Sequence, residues 1–181
     1  MTCIVGLLDK NSKRVFIGAD SAGVAGYKVT IRKDEKIFKN GDFIIGCTSS
    51  FRMIQLLRFS FSPPEIGKKE IYQYMCTDFI EAIRNCFRNG GYMQKEKAGA
   101  DQGGLFLVGY KDRLFMIGED FQVGEAYEGL MAVGCGDEYA LGSLFSSPVE
   151  MSPEEKINKA LSAAAYFSAG VSAPFIVLGT E

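Results

Sequence analysis

The fold turns on residues 2–20, Thr2-Cys3-Ile4-Val5-Gly6-Leu7-Leu8-Asp9-Lys10-Asn11-Ser12-Lys13-Arg14-Val15-Phe16-Ile17-Gly18-Ala19-Asp20. Thr2–Leu8 and Arg14–Ala19 are apolar runs rich in β-branched residues, and "DKNSK" between them is made of turn formers. They read as a β-hairpin. A carboxylate, Asp20, follows the second strand where the chain turns. A threonine stands directly behind Met1, at the position that loss of the methionine would expose.

Outward from this hairpin the pattern repeats. "KIF" (36–38) and "FIIGC" (43–47) form a second hairpin across Asn40-Gly41, with the signature of a type I′ turn. Ser49-Ser50 can cap a helix, "FRMIQLLRF", that ends before Pro63-Pro64. Ile71, Met75, Phe79, Ile83 and Phe87 recur every four residues, as on one face of a helix, which Gly90-Gly91 stops. Residues 89–104 read as a loop. "LFLVGY", "RLFMIG" and "LMAVG" are strands, with "FQVG" a short one among them. "DEYALGSLF" is a helix, and Ser152-Pro153-Glu154-Glu155 is a capping box opening another, which closes near Gly170. "PFIVLG" is the last strand.

Strand pairs, two helices, strand pairs, two helices and a closing strand predict two antiparallel sheets stacked with helices outside. The expected fold class is therefore α+β, a four-layer αββα sandwich. The 181 residues, 47 % of them hydrophobic, suffice for one domain spanning 1–181.

Composition removes several function classes. The net charge is −2 and basic residues alternate with acidic ones, so nucleic-acid binding has no electrostatic footprint. Five cysteines, an odd number without a CxxC pair, argue for a reducing compartment and against a disulfide frame or zinc knot. No stretch resembles a secretory signal or reaches membrane-spanning length, so the expectation is a cytoplasmic protein away from membranes. The chain has no histidine. Histidine-based triads, zinc sites and acid/base chemistry fall together, leaving a carboxylate, a lysine or the α-amine as base.

Individual motifs are each ambiguous. Asp20 alone reads as a turn cap and Lys36, at a strand start, as a solvated lysine; buried side by side, the two would keep each other ionised. "AVGCGDEYALG" (132–142) has Tyr139 where a dinucleotide fingerprint needs its third glycine, and no parallel βαβ unit follows. Glycine turns before helices, here and in "GCTSS" (46–50), still let backbone N–H groups approach a ligand. Cys3, Cys76 and Cys86 are expected as small core residues, and Cys135, in its glycine turn, as exposed.

In order along the chain, these fragments resemble the proteasome β-subunits, and more closely the HslV-type peptidases, of the N-terminal-nucleophile hydrolases. Thr2-Cys3-Ile4-Val5-Gly6, Gly18-Ala19-Asp20, Lys36-Ile37-Phe38, Gly46-Cys47-Thr48-Ser49-Ser50, Gly134-Cys135-Gly136-Asp137-Glu138-Tyr139-Ala140 and Phe167-Ser168-Ala169-Gly170 carry the likeness. The resemblance implies that Met1 is removed and that Thr2 Oγ attacks a peptide carbonyl, with the freed α-amine as base. It implies that Asp20 holds Lys36, whose charge favours the alkoxide, and that the Ser49 N–H is the oxyanion donor. Cys135 and Ser168 then occupy the supporting positions. Cys135 replaces the family's serine, Ala165 stands where an orienting aspartate is usual, and Ser49-Ser50 replace paired glycines. The resemblance further implies a threonine endopeptidase acting on peptides or unfolded polypeptides. It would assemble as a homo-oligomeric ring or spiral, leave room for an ATP-dependent unfoldase, and need no cofactor or metal. Two other readings use the same fold: an inactive structural or assembly protein that keeps Met1, and an amidase for a small substrate.

Overall fold

A computed structural model describes residues 1–95 and 101–181. The chain order is β1 (Cys3–Asp9), β2 (Arg14–Ala19), β3 (Ala22–Ala25), β4 (Lys28–Ile31), β5 (Ile37–Asn40) and β6 (Phe43–Cys47). Next come helix α1 (Phe51–Phe59) and a long helix made of α2 (Ile71–Tyr74), a π-helical turn (Met75–Phe79) and α3 (Ile80–Asn89). Then follow β7 (Gln94–Lys95), β8 (Asp101–Gln102), β9 (Phe106–Tyr110), β10 (Arg113–Ile117), β11 (Val123–Glu125) and β12 (Leu130–Gly134). Helices α4 (Asp137–Phe145) and α5 (Pro153–Phe167) and strand β13 (Ile176–Gly179) complete the chain.

The opening hairpin forms the middle of a four-stranded antiparallel sheet, ordered β12-β1-β2-β13, in which Val5 pairs with Gly18 and Ala132. A five-stranded antiparallel sheet is ordered β11-β10-β9-β6-β5. Strand alternation, with both faces covered, explains why β1 is apolar from Cys3 to Leu8. Cys3, Val5 and Leu7 pack with Leu144, Ile157 and Leu161 of α4 and α5, whereas Ile4 joins Ile17, Ile44, Leu107 and Leu114, drawn from both sheets. A third cluster joins the five-stranded sheet to α1 and the long helix through Phe43, Phe79, Phe87 and Phe115. Close approach of the sheets needs glycine at 46, where a Cβ would come within 2.7 Å of the Ile4 side chain.

Several expectations change. Residues 22–31, given no element from the sequence, form a β-ribbon, β3–β4, in which Val24 pairs with Val29. The second hairpin turns one residue later than its Asn-Gly signal suggests: Asn40 pairs with Phe43, and Gly41 (φ +57°) is the positive-φ residue of the two-residue turn, as in a type II′ turn. Asn40 is instead a bracket, its amide donating to the carbonyls of Leu57 and Phe61 at 2.9 Å each. Cys76 is exposed, not a core residue, because it lies on the outer side of the π-helical turn; Cys3 is buried and Cys86 half-buried. The 89–104 loop contains the short ladder Gln94↔Gln102, and its residues 96–100 lie outside the described residues.

Caps are where the sequence places them. Ser50 Oγ accepts from Arg52 N at 3.1 Å, and Ser152 and Glu155 form the reciprocal box. Among the described residues, no helix is long and apolar enough to cross a membrane, and no group of three or more His, Cys, Asp or Glu side chains is placed to hold a metal ion.

Candidate active site

The first residues of β1 bring the candidate site together. Thr2 is buried, 7 % exposed, between the turn after β12 and the turn after β6. Its carbonyl accepts from Cys135 N at 2.8 Å, continuing the β1–β12 ladder by one bond. Gly134 permits this. It has φ +108°, and a Cβ there would lie 2.2 Å from the Thr2 carbonyl oxygen.

Behind Thr2 lies a buried ion pair. Lys36 Nζ donates to Asp20 Oδ1 at 2.7 Å, and the two side chains are 1 % and 0 % exposed. Asp20 is not a simple turn cap. Besides Lys36 it accepts backbone N–H bonds from Cys3 at 3.0 Å, Ala22 at 2.9 Å and Ser172 at 3.3 Å. It therefore ties β1, the β3–β4 ribbon and the segment before β13 to one carboxylate. Burial pushes the Lys36 ammonium pKa below its ordinary value, and the Asp20 charge and hydrogen bond oppose that shift. Burial, followed by the nearby Asp20 charge, pushes the Cys3 thiol up to about 12, so Cys3 stays a neutral core residue.

Cys135 is exposed and touches the nucleophile candidate directly. Thr2 N donates to its Sγ at 3.3 Å, Ser168 Oγ donates to the same sulfur at 3.4 Å, and the thiol lies 3.4 Å from the Thr2 carbonyl oxygen. Gly170 N donates in turn to Ser168 Oγ at 3.4 Å. Ser168 follows the last residue of α5, so the helix end sets its position. Ala165, one turn earlier, packs against the apolar cluster under α4 and α5 and supplies no polar group.

Ser49 occupies the opposite wall. It has φ +49°, an uncommon conformation for a residue with a Cβ, held by its Oγ accepting from Leu105 N at 3.1 Å and contacting Thr48 Oγ1 at 3.2 Å. Among the described residues, its N–H donates to no acceptor. Met1, Thr2, Val24, Lys36, Thr48, Ser49, Ser50, Phe51 and Ile54 line a cavity of about 100 Å³. In this form the Thr2 hydroxyl donates to the Met1 carbonyl at 2.6 Å.

The structure thus brings Lys36, with Asp20, and Ser49 to the cavity side of Thr2, and Cys135, contacted by Ser168, to its backbone nitrogen. Nothing in the sequence marks Ser172 or Ala22, because both act through backbone N–H groups, which every non-proline residue carries. Gly134 was legible as part of a glycine turn, but its contact with the Thr2 carbonyl was not.

No protein-family model matches the sequence, and no curated protein matches it. Solved structures do. BPH from Thiobacillus denitrificans, in complex with epoxomicin, aligns with TM-score 0.82 at 20 % identity over 99 % of this chain and 98 % of its own. HslV from Trypanosoma brucei aligns at 0.70 with 16 % identity over 99 % of each chain. An Anbu mutant from Hyphomicrobium sp. strain MC1 aligns at 0.67 with 15 % identity, over 98 % of this chain and 80 % of that one. These likenesses concern the fold: the chain has the mixed α and antiparallel-β fold shared by BPH, HslV and Anbu.

Proposed function

We propose that this chain is a subunit of a self-compartmentalising threonine peptidase, active once Met1 has been removed. The observation that carries the reading is that Lys36, held by Asp20 in a buried ion pair, lines the same cavity as Thr2 and Ser49. A core that buries a lysine at the cost of desolvation has a use for its charge. The site would work as follows. Removal of Met1 takes away the carbonyl that accepts the Thr2 hydroxyl proton and converts Thr2 N into an amine, whose ordinary pKa of about 7.7–8.0 suits a general base.

Thr2 Oγ attacks the substrate carbonyl while its proton passes to the amine, directly or through one water. The oxyanion forms against Ser49 N–H, and the nearby Lys36 charge favours it. Collapse breaks the C–N bond, the α-ammonium returns the proton to the leaving amine, and an ester to Thr2 remains. Water hydrolyses that ester by the same route. Cys135 and Ser168 orient the amine, the sulfur taking the place of a hydroxyl and Ala165 offering no carboxylate behind it.

The four-layer αββα arrangement, peptide or unfolded-polypeptide substrates, homo-oligomerisation in a ring or spiral and a cytoplasmic location belong to this reading. An ATP-dependent unfoldase is compatible with it. The three apolar clusters, one between each sheet and its helices and one between the sheets, support the layering. A second reading, an inactive scaffold, draws on the missing carboxylate at Ala165 and on the Thr2 hydroxyl engaged by Met1.

The deciding experiment is intact mass of protein purified from its native host, before and after epoxomicin. Loss of Met1 and an adduct on Thr2, absent in Thr2→Ala, is the expected result. Retained Met1 and no adduct would overturn the peptidase reading in favour of the scaffold.

A further inference from the structure

Two segments of opposite charge stand at opposite edges of the five-stranded sheet. Residues 21–33, the β3–β4 ribbon and its exit, contain Lys28, Arg32 and Lys33 and no acid. Residues 118–129, which carry β11 and its flanking turns, contain Glu119, Asp120, Glu125 and Glu128 and no base. Some of these charges are already matched: Arg32 by Asp34, Glu125 by Arg113 and Glu128 by Lys10. Lys28, Lys33, Glu119 and Asp120 are exposed and make no ion pair among the described residues.

Sheet order keeps the two segments apart. β11 and β5 are the outer strands of β11-β10-β9-β6-β5, four spacings of about 4.8 Å from each other, on the order of 19 Å. The ribbon leads through residues 32–36 into β5, and residues 118–122 join β10 to β11. Both lie at the same end of the sheet, because Ile37 pairs with Gly46, Cys47 with Phe106, and Phe106 with Ile117. Within one chain they stand a sheet's width apart, yet the ribbon of one copy is level with the acidic turn of a copy placed beside it.

Each segment also carries a strand with a free edge. Among the described residues β4 pairs with β3 alone and β11 with β10 alone, so each turns backbone N–H and C=O groups outward. The ribbon adds exposed apolar surface at Tyr27, Val29 and Ile31. Its base is rigid. The Arg32 guanidinium lies 3.7 Å from the centroid of the Phe51 ring, forks to Asp34 at 2.8 and 2.6 Å, and Arg32 N donates to Ser21 O at 2.9 Å. Ribbon against ribbon would bring like charges together, which disfavours a two-fold contact; ribbon against acidic turn brings opposite charges together.

We propose that copies of this chain associate head to tail, the β3–β4 ribbon of one seated on the 118–122 turn and β11 edge of the next. Lys28 and Lys33 then face Glu119 and Asp120. A heterologous contact of this kind closes into a ring or runs on as a spiral. The proposal rests on the homo-oligomer of the function proposed above and is independent of the chemistry at Thr2.

Sedimentation velocity and native mass spectrometry at about 0.1 M salt, where exposed charges are only partly screened, test it on the full chain. Lys28→Glu with Lys33→Glu, and separately Glu119→Lys with Asp120→Lys, are each expected to weaken association about tenfold or more, since like charges now meet. A chain carrying all four reversals should assemble again, and so should an equimolar mixture of the two doubly reversed chains, in alternation. Recovery in the mixture shows that each reversed chain is folded. A monomeric wild type, reversed chains that assemble as wild type does, or reversed chains that stay apart when mixed would each overturn the proposal. Epoxomicin labelling of Thr2 in Met1-free samples reads the other question. An adduct alongside any of those three results leaves the peptidase reading standing without this interface. Assembly with the expected charge dependence but no adduct leaves the interface standing without the peptidase.

Discussion

Replacing Asp20 by asparagine should damage this protein more than removing Lys36, although the two form one ion pair. The asymmetry follows from their partners. Asp20 accepts from three backbone N–H groups as well as from Lys36, whereas Lys36 Nζ donates to Asp20 and to no other acceptor among the described residues. In Asp20→Asn, a side chain 1 % exposed keeps an ammonium with no counter-charge. Breaking a buried pair from that side costs about 3–5 kcal/mol. In Lys36→Met, the apolar stem is largely preserved and the carboxylate retains three donors, so the expected cost is about 1–3 kcal/mol.

The pH dependence separates this account from a simple packing defect. Burial already holds the Lys36 pKa below 10.5, and Asp20 opposes that shift. Without the carboxylate, the folded-state pKa falls further while the unfolded value stays put. Between the two values the unfolded chain binds more protons than the native one, so stability rises with pH across that window. The Asp20→Asn deficit should therefore be largest below the lowered pKa and shrink as pH rises through it, by at most about 1.4 kcal/mol per pH unit. Urea unfolding of wild type and both variants between about pH 6 and pH 9 measures it. A deficit that does not change with pH, or a Lys36→Met variant less stable than Asp20→Asn, would refute the reasoning. Both variants should lose epoxomicin labelling.

Three further outcomes are expected. Gly134→Ala places a methyl against the Thr2 carbonyl at a φ of +108°, so it should cost about 1–3 kcal/mol in thermal or urea unfolding and reduce Thr2 labelling at least as strongly. Iodoacetamide at about pH 8 should modify the exposed Cys76 and Cys135 of the folded protein but spare Cys3 and Cys47, whose thiols are buried and pushed upward; peptide mass mapping reads this out, and labelling of Cys3 ahead of Cys135 would contradict the structure. Ser49→Gly retains the N–H and suits φ +49°, so hydrolysis should persist. Ser49→Pro removes the donor and should abolish hydrolysis; an active Ser49→Pro would exclude this N–H as the oxyanion donor.

How far the site could be read in advance depended on the kind of group. Thr2, Asp20, Lys36 and Cys135 sit at strand ends and glycine turns, and such punctuation is local, so their places in the order of elements were legible. The partners that complete the carboxylate's environment, Cys3 N, Ala22 N and Ser172 N, are backbone groups without side-chain identity, and Ser172 lies 152 residues from Asp20. The π-helical turn was present in the sequence as a four-residue spacing kept from Ile71 to Phe87. A helix of about 3.6 residues per turn drifts off such a stripe, and a wider i→i+5 turn brings it back. The β3–β4 ribbon escaped because its outer face is exposed, Lys28–Ile31 throughout, so no burial alternation marked it.

By itself, then, the sequence determined most of the strands and the helices, where most helices begin, and that this chain has no histidine to use. Those are properties of hydrophobic period, capping residues and composition, each satisfied within a few residues of chain. Only the tertiary structure decided that Lys36 is buried rather than solvated, that Asp20 is shared by three segments, and that Cys135 touches Thr2 while Ala165 supplies no polar group. It also showed that Arg32 covers Phe51. Each of these is fixed by a desolvated charge, a hydrogen bond or a stacking contact between residues far apart in the chain, and such energies exist only once the sheets and helices have packed.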